Sequence, residues 1–211
     1  MSQMLAIDGR PLGRRAQVTR RRLLDATGEL LESHGIRELR VVEVARKVGT
    51  SPATFYQYFR SVDEAVLALA DELTEELHPL AELLDRPWNG KAGLDAARTM
   101  VDGYFRYWDR HRAVMRVRNL AADEGDQRFR DVRNRALSTL TDRMAAAVAE
   151  NQRAGRVASE ITPYSAAAAM VAMMERMATY HFDLEPRGVR RSDLVETTAR
   201  ILHQTVTGRK T

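Results

Sequence analysis

The chain has 211 residues, 44% hydrophobic and 29% charged, a balance that suits one or two folded domains and excludes a disordered chain. It carries no cysteine, which removes disulfides, thiolate zinc sites and cysteine nucleophiles. Of the net charge of +4, residues 1–60 carry +5 and the remaining 151 carry −1, which points to a nucleic-acid-facing end on a neutral body or to a solubilising basic tail. The opening segment, "MSQMLAIDGRPLGRR", has no long apolar run and an aspartate where a signal peptide would be apolar. No stretch approaches the length of a membrane span, so the expected location is the cytoplasm. Alanine, leucine, arginine and glutamate dominate, a mixture that favours helix over strand.

From Gly13 onward the pattern is helical. In "TRRRLLDATGELLESHG" the positions Leu23, Leu24, Ala26, Thr27, Leu30 and Leu31 recur at three and four, and Gly35 is expected to stop the helix. "ELRVVEVARKVG" predicts a short helix with Val41, Val44, Ala45 and Val48 on one side, ended by Gly49. After a tight turn comes "SPATFYQYFRS", with Ser51 as N-cap and Pro52 at the first helical position, where its missing N–H costs nothing. Phe55 and Phe59 are four apart on one face and are expected in the core with Val62, while Thr54, Tyr56 and Tyr58 look outward. A helix this short cannot hold itself, so it needs large anchors. Ser61 and Glu64 form the pattern of a capping box that opens a long amphipathic helix, which Pro79 shortens or bends.

"RPWNG" at 86–90 is the clearest loop. Further helices are expected over 91–109, 111–122, 126–153, 162–182 and 191–206, broken at "ADEGDQ", "RAGRVASEITP" and "LEPRGVR". The expected fold is all-α with about nine helices: an N-terminal three-helix helix-turn-helix domain over 13–60 and a larger helical domain over 61–211. Two short helices across a tight turn can place the second in a major groove while the first crosses the backbone.

The stretch "LLDATGELLESHGIRELRVVEVARKVGTSPATFYQYFRSVDEAVLAL" resembles the DNA-binding domain of TetR-family transcriptional regulators. Gly35, Ala45, Gly49, Thr54, Phe55, Tyr56, Tyr58, Phe59 and Glu64 fill the places of the family pattern. A lysine usual after the "YxYFxS" run is replaced by Asp63, and Arg60 is a candidate to supply the missing charge. The resemblance implies a DNA-facing set of Ser51, Pro52, Ala53, Thr54, Tyr56, Gln57 and Tyr58, with Arg46 or Lys47 on the preceding helix. Thr54 would meet a thymine methyl or a phosphate, Gln57 an adenine or solvent, and Tyr56 and Tyr58 phosphates, with part-buried packing as their alternative. Arg14 and Arg15, with Arg10, Arg20, Arg21 and Arg22, form an arginine cluster suited to a minor groove or to a cationic leader. Basic charge at a helix start works against the macrodipole.

The resemblance further implies a double-stranded palindromic operator, a homodimer built through the helices near 162–182 and 191–206, and release from DNA by a small hydrophobic effector. The expected effector-binding residues are Tyr104, Trp108, Met115, Asn119, Met144, Met173, Met177 and Tyr180; methionine adapts to irregular apolar ligands, and a packed core is the alternative. "SAAAAMVAMM" is rich in small residues that permit close helix approach. Five scattered histidines form no metal-protease pair, and no Walker loop, nucleotide fingerprint or nucleophile elbow occurs. No metal, cofactor or enzymatic activity is expected. The alternative reading is a dimeric helical ligand-binding or scaffold protein whose DNA contacts are not its main task.

Overall fold

A computed structural model describes residues 10–208. Helix α1 (Arg14–Ser33) buries Leu23, Leu24, Ala26, Thr27 and Leu31, the expected stripe, with Leu30 half-buried at its edge. Its first turn has no acidic residue and no side-chain cap. The stop differs from expectation. The helix ends at Ser33 and His34 is already extended, while Gly35 is not left-handed. Leu30 C=O takes the His34 amide at 2.9 Å, and Gly35 C=O opens the next turn by accepting from Glu38 and Leu39 at 3.0 and 3.2 Å. Gly35 thus starts a turn instead of ending a helix.

Helix α2 (Val41–Val48) buries Val44, Ala45 and Val48 and closes on Gly49 at φ +74°. That left-handed cap would cost a residue with a Cβ about 1–2 kcal/mol. Helix α3 (Pro52–Tyr56) starts at Ser51, whose Oγ accepts from Thr54 N at 3.2 Å. Helix α4 (Val62–Glu72) starts at Ser61, whose Oγ accepts from Glu64 N at 3.2 Å. The return bond of the expected capping box shifts by one residue: the Glu64 carboxylate accepts from Arg60 N at 2.5 Å. Among these helices α1 packs on both α2 and α4, and α2 on α3.

The long helix expected after Ser61 is interrupted. A 3-10 turn (Leu73–Leu77), helix α5 (His78–Ala81) and a second 3-10 turn (Glu82–Asp85) follow α4. Pro79 explains the break, because it offers no N–H to the carbonyl four residues earlier and its ring collides with it, so the preceding turn tightens. Where two helices were expected over 91–109 and 111–122, one run, α6 (Gly90–Asp123), has a single non-helical residue at His111, φ −116° and ψ 19°. Then come α7 (Gln127–Arg153), α8 (Pro163–Leu184), a 3-10 turn (Glu185–Arg187) and α9 (Arg191–Thr207). The described residues contain no strand.

Contacts divide the chain into one unit running to Leu73 and including His111–Arg133, and a second of Thr74–Arg110 and Asn134 onward. The cut expected after residue 60 falls inside the first unit, because α4 packs on α1. The first unit buries Leu23, Leu24, Val44, Phe55, Phe59 and Val66; the second buries Met100, Tyr104, Phe105, Leu140, Met144 and Leu202. In the second unit the 86–89 loop is anchored, with Trp88 buried and its Nε1 donating to Leu83 C=O at 2.9 Å. Gly93 lets that loop close, since a Cβ there would lie 2.1 Å from the Trp88 carbonyl carbon.

Candidate nucleic-acid interface and the core of the body

The short helix α3 is held from below and bare on top. Phe55 is fully buried and Phe59 2% exposed, their ring centroids 5.5 Å apart. The Arg20 guanidinium lies 5.4 Å from the Phe59 ring centre, a cation–π contact that closes the underside. On the other side Ser51, Pro52, Ala53, Tyr56 and Gln57 are exposed, and Thr54 and Tyr58 are half-buried. Tyr56 is 53% exposed and meets Phe55 edge-on at 5.9 Å, so its ring is steadied while its hydroxyl end reaches solvent. Ser51 Oγ also lies 3.1 Å from Thr54 Oγ1, and both hydroxyls are engaged in the cap. Of the residues expected to face DNA here, Ser51, Pro52, Ala53, Tyr56 and Gln57 are therefore open to solvent and Thr54 and Tyr58 partly so.

Arg46 and Lys47 are both exposed in the last turn of α2, where cations suit the helix dipole. Lys47 Nζ is 2.9 Å from Glu29 of α1. The arginine cluster splits into two groups. Arg14 and Arg15 are exposed in the first turn of α1. Arg20, Arg21 and Arg22 instead have structural partners: Arg20 and Arg21 bond Glu72 at 2.6 and 3.0 Å, and Arg22 donates to Val48 C=O at 2.9 Å. Asp25 and Glu72 together raise the Arg21 pKa above its ordinary value, chiefly through the Asp25 hydrogen bond. These three tie α1 to α4 and to the end of α2, and Arg10, the sixth member of the cluster, is exposed ahead of the helix. Sequence spacing does not show this, because Glu72 is some fifty residues away.

Near the turn between α3 and α4, Arg128 at the start of α7 is held by Asp126 at 2.7 Å. Its pKa is raised mainly by that bond, with Asp63 and Glu64 contributing by charge. Arg128 thus brings positive charge to the acidic start of α4, a contribution the sequence did not reveal.

In the second unit Tyr104, Trp108 and Met144 are buried, each at most 1% exposed, and Met173 and Met177 are half-buried. Tyr180 is different. It is 40% exposed and its hydroxyl accepts from Arg176 at 2.7 Å, with that guanidinium 4.7 Å from the ring centre. It lies on the outer side of α8, away from the buried stripe. Met115 and Asn119 belong to the first unit, where Met115 is buried and Asn119 Oδ1 accepts from the buried Arg118 at 3.0 Å.

Sequence reasoning also missed an ionic lattice on the second unit. Arg98 holds Glu196 through two bonds of 2.7 and 2.8 Å and Asp95 at 2.7 Å. Glu196 also accepts from Arg200 at 2.6 Å, and its carboxyl is pushed down to about 2, mainly by the Arg98 hydrogen bonds. Asp102 accepts from Arg106 and from Arg191, and His181 Nε2 lies 2.7 Å from Asp109. A cleft of about 530 Å³ opens over Leu80, Arg98, Asp102, Arg106, Arg191 and Glu196. Its guanidinium groups already hold carboxylates, so the lattice braces α6 against α9. Among the described residues no cluster of His, Asp or Glu suits a metal ion, and no helix is long and apolar enough to cross a membrane.

Residues 23–69 match the family model for bacterial regulatory proteins of the tetR family, and residues 80–211, more than half of the chain, match that for the tetracyclin repressor-like C-terminal domain. An uncharacterized HTH-type transcriptional regulator of Haemophilus influenzae is 29% identical over 128 residues, covering 60% of this chain and 62% of that one, so the match spans less than two thirds of the relative. The fatty acid degradation regulator FadR from Bacillus halodurans has the same fold, with a TM-score of 0.68 at 15% identity over 92% of this chain and 97% of that one. FadR from Bacillus subtilis in complex with stearoyl-CoA gives 0.66 at 16%, covering 90% and 98%. The SmeT–triclosan complex gives 0.61 at 19%, covering 90% of each; SmeT is the repressor of a Stenotrophomonas maltophilia multidrug efflux pump. With both halves of the pattern matched, the second over most of the body, the chain belongs to the TetR family of bacterial regulatory proteins.

Proposed function

We propose that the protein is a homodimeric, sequence-specific DNA-binding regulator, a repressor released from a palindromic operator by a small hydrophobic effector. The observation that carries this reading is α3, anchored beneath by Phe55 and Phe59 and exposing Ser51, Pro52, Ala53, Tyr56 and Gln57 on one side. Arg14, Arg15 and Arg46, exposed in the same unit, supply cations for phosphates, with Lys47 shared with Glu29. In this reading Tyr56 and Tyr58 position the helix through phosphates, while Thr54 and Gln57 read bases.

Dimerisation is supported by the outer side of the α8 and α9 pair, which pack on each other. Ala168, Ala169 and Ala172 are exposed there, with Tyr164, Tyr180 and Ile201 at 56%, 40% and 41%. Two copies joined by symmetric contact present two recognition helices to two half-sites. The effector reading draws on Tyr104, Trp108, Met144, Met173 and Met177 in the body, and on neighbours of the same fold whose structures hold stearoyl-CoA or triclosan. Such a ligand acts only by favouring the conformation that does not fit DNA; a tenfold drop in affinity needs about 1.4 kcal/mol of difference.

The test is selection of bound fragments from random duplex DNA, followed by titrations at rising salt. The expected result is one palindromic site, with log K falling linearly in log salt at about 0.9 per phosphate contacted. Equal binding to all duplexes at any salt overturns the specificity. Tyr58→Phe is expected to weaken binding on every sequence, while Gln57→Ala costs about 1–3 kcal/mol only at its preferred base pair.

A further inference from the structure

The chain has two tryptophans, Trp88 and Trp108. Both rings are buried, 3% and 1% exposed. They differ at one atom. Trp88 Nε1 donates to the Leu83 carbonyl at 2.9 Å, whereas Trp108 Nε1 is fully buried with no acceptor in reach. An indole N–H is a donor only, and no change of tautomer removes its need. Buried polar atoms without partners are few in folded proteins, and each calls for a specific cause.

Along its own helix no such cause is evident. Counting back along α6 by threes and fours from Trp108, the residues on its side are Phe105, Tyr104, Val101 and Met100, each at most 1% exposed. A donor set in an aromatic and aliphatic stripe serves packing no better than a phenylalanine would, since its desolvation is a cost without return. Among the described residues of the same unit His181 Nδ1 is a further such atom. That ring already has its Nε2 on Asp109 at 2.7 Å, so of these two side chains it is the indole that makes no hydrogen bond, and unlike an imidazole it can only donate.

We propose that the Trp108 N–H is the polar anchor of the effector site, and that the effector is an apolar molecule carrying an acceptor oxygen, as in a carboxylate or an ester carbonyl. The proposal rests on the effector reading above and narrows its chemistry. A site with a buried donor rejects analogues that lack the acceptor far more strongly than it discriminates by chain length, because the donor then stays unmet.

The experiment uses the full-length protein with ¹⁵N-labelled indoles, whose two signals are assigned with Trp108→Phe, or with Trp88→Phe if that variant misfolds. Four probes are added: decanoic acid and methyl decanoate, which carry acceptors, and undecane and 1-chlorodecane, which do not. The expected result is a downfield shift of the Trp108 signal alone with the first pair and none with the second. The first pair should also bind about tenfold more weakly to Trp108→Phe, with the second pair unchanged. A Trp108 signal as far downfield as that of Trp88 in the free protein, and unmoved by every probe, overturns the proposal: solvent or protein already meets the donor. Equal affinity of Trp108→Phe for the acceptor-bearing probes overturns it as well. Release of operator DNA by a probe that leaves the indole unmoved sinks the anchor and leaves the effector reading standing. An indole shift without DNA release does the opposite.

Discussion

The helix-turn-helix and the body are both helical, but they are specified in different ways. In the first, each short element carries its own signals within a few residues: Gly49 at φ +74° ends α2, Ser51 and Pro52 open α3, and Ser61 opens α4. In the body the helices are long and propensity suffices to form them, so the signals lie in contacts between residues far apart, such as Arg98 with Glu196 and His181 with Asp109. A region that presents a surface to a polymer needs fixed local geometry. Contacts between residues far apart leave little trace in the local sequence.

The sharpest contrast lies within α3 itself, between its underside and its top. Phe55→Ala removes a fully buried ring and is expected to destabilise the protein by about 3–5 kcal/mol, read as a lower urea midpoint with loss of DNA binding. Tyr56→Ala, on the exposed side, is expected to change stability by no more than about 0.5 kcal/mol while weakening DNA binding. If the two variants unfold alike, α3 is not anchored as described.

A second test carries the comparison into the body. Gly93→Ala drives a Cβ to 2.1 Å from the Trp88 backbone, which a side-chain rotation cannot relieve. The expected cost is about 1–3 kcal/mol in thermal or urea unfolding. Gly13→Ala, with open space around it, is the matched control and should be near neutral. A neutral Gly93→Ala would mean that the 86–89 loop is not clamped against α6.

Ser51→Ala tests the local signals directly. It removes the side-chain acceptor for Thr54 N and is expected to cost about 1 kcal/mol, with a loss of DNA affinity because the start of α3 frays. A variant that loses DNA affinity but no stability would instead make Ser51 a contact to DNA and not a cap.

What could be read in advance follows the same division. The buried faces of α1 and α2, the two serine caps and the placement of Phe55 and Phe59 are all set by spacing and by residues within one turn. The body's helices were legible for the same reason, and their breaks at glycine- and proline-bearing segments agree with the structure. The kink at His111 was read as a full break, since no glycine or proline marks where a helix bends without ending. For Arg20, Arg21 and Arg22 the sequence leaves open a minor groove or a cationic leader, because long cationic side chains advertise charge but not partners, and their partners are Glu72 and the end of α2. Tyr180, expected among the effector-binding residues, is 40% exposed and its hydroxyl accepts from Arg176, a placement that residue type alone does not reveal. The unmet donor of Trp108 is invisible in sequence, because Trp88 differs from it only by the Leu83 carbonyl.

The smallest effect concerns the ionic lattice that the sequence did not show. Glu196 titrates at about 2, well below its ordinary 4.5, because Arg98 grips both carboxylate oxygens and Arg200 adds a third bond. A carboxyl whose pKa is lower in the folded state stabilises that state while ionised and loses the contribution on protonation. The stabilisation is therefore complete above about pH 5, where the carboxyl is ionised in folded and unfolded chains alike, and is lost between there and about pH 2. Glu196→Gln is expected to lower the unfolding midpoint slightly at neutral pH, with the gap to the unmodified protein closing as the medium is acidified. The carboxylate is 39% exposed, so added salt should shrink the gap at neutral pH as well. Asp126 and Asp193 are also depressed by bonds from Arg128 and Arg190, so an acid limb remains in the variant and only its depth changes. Urea titrations at a series of pH values in low and high salt read this directly, and a gap that stays constant down to pH 2 would show that the Arg98 grip does not act through the charge of Glu196.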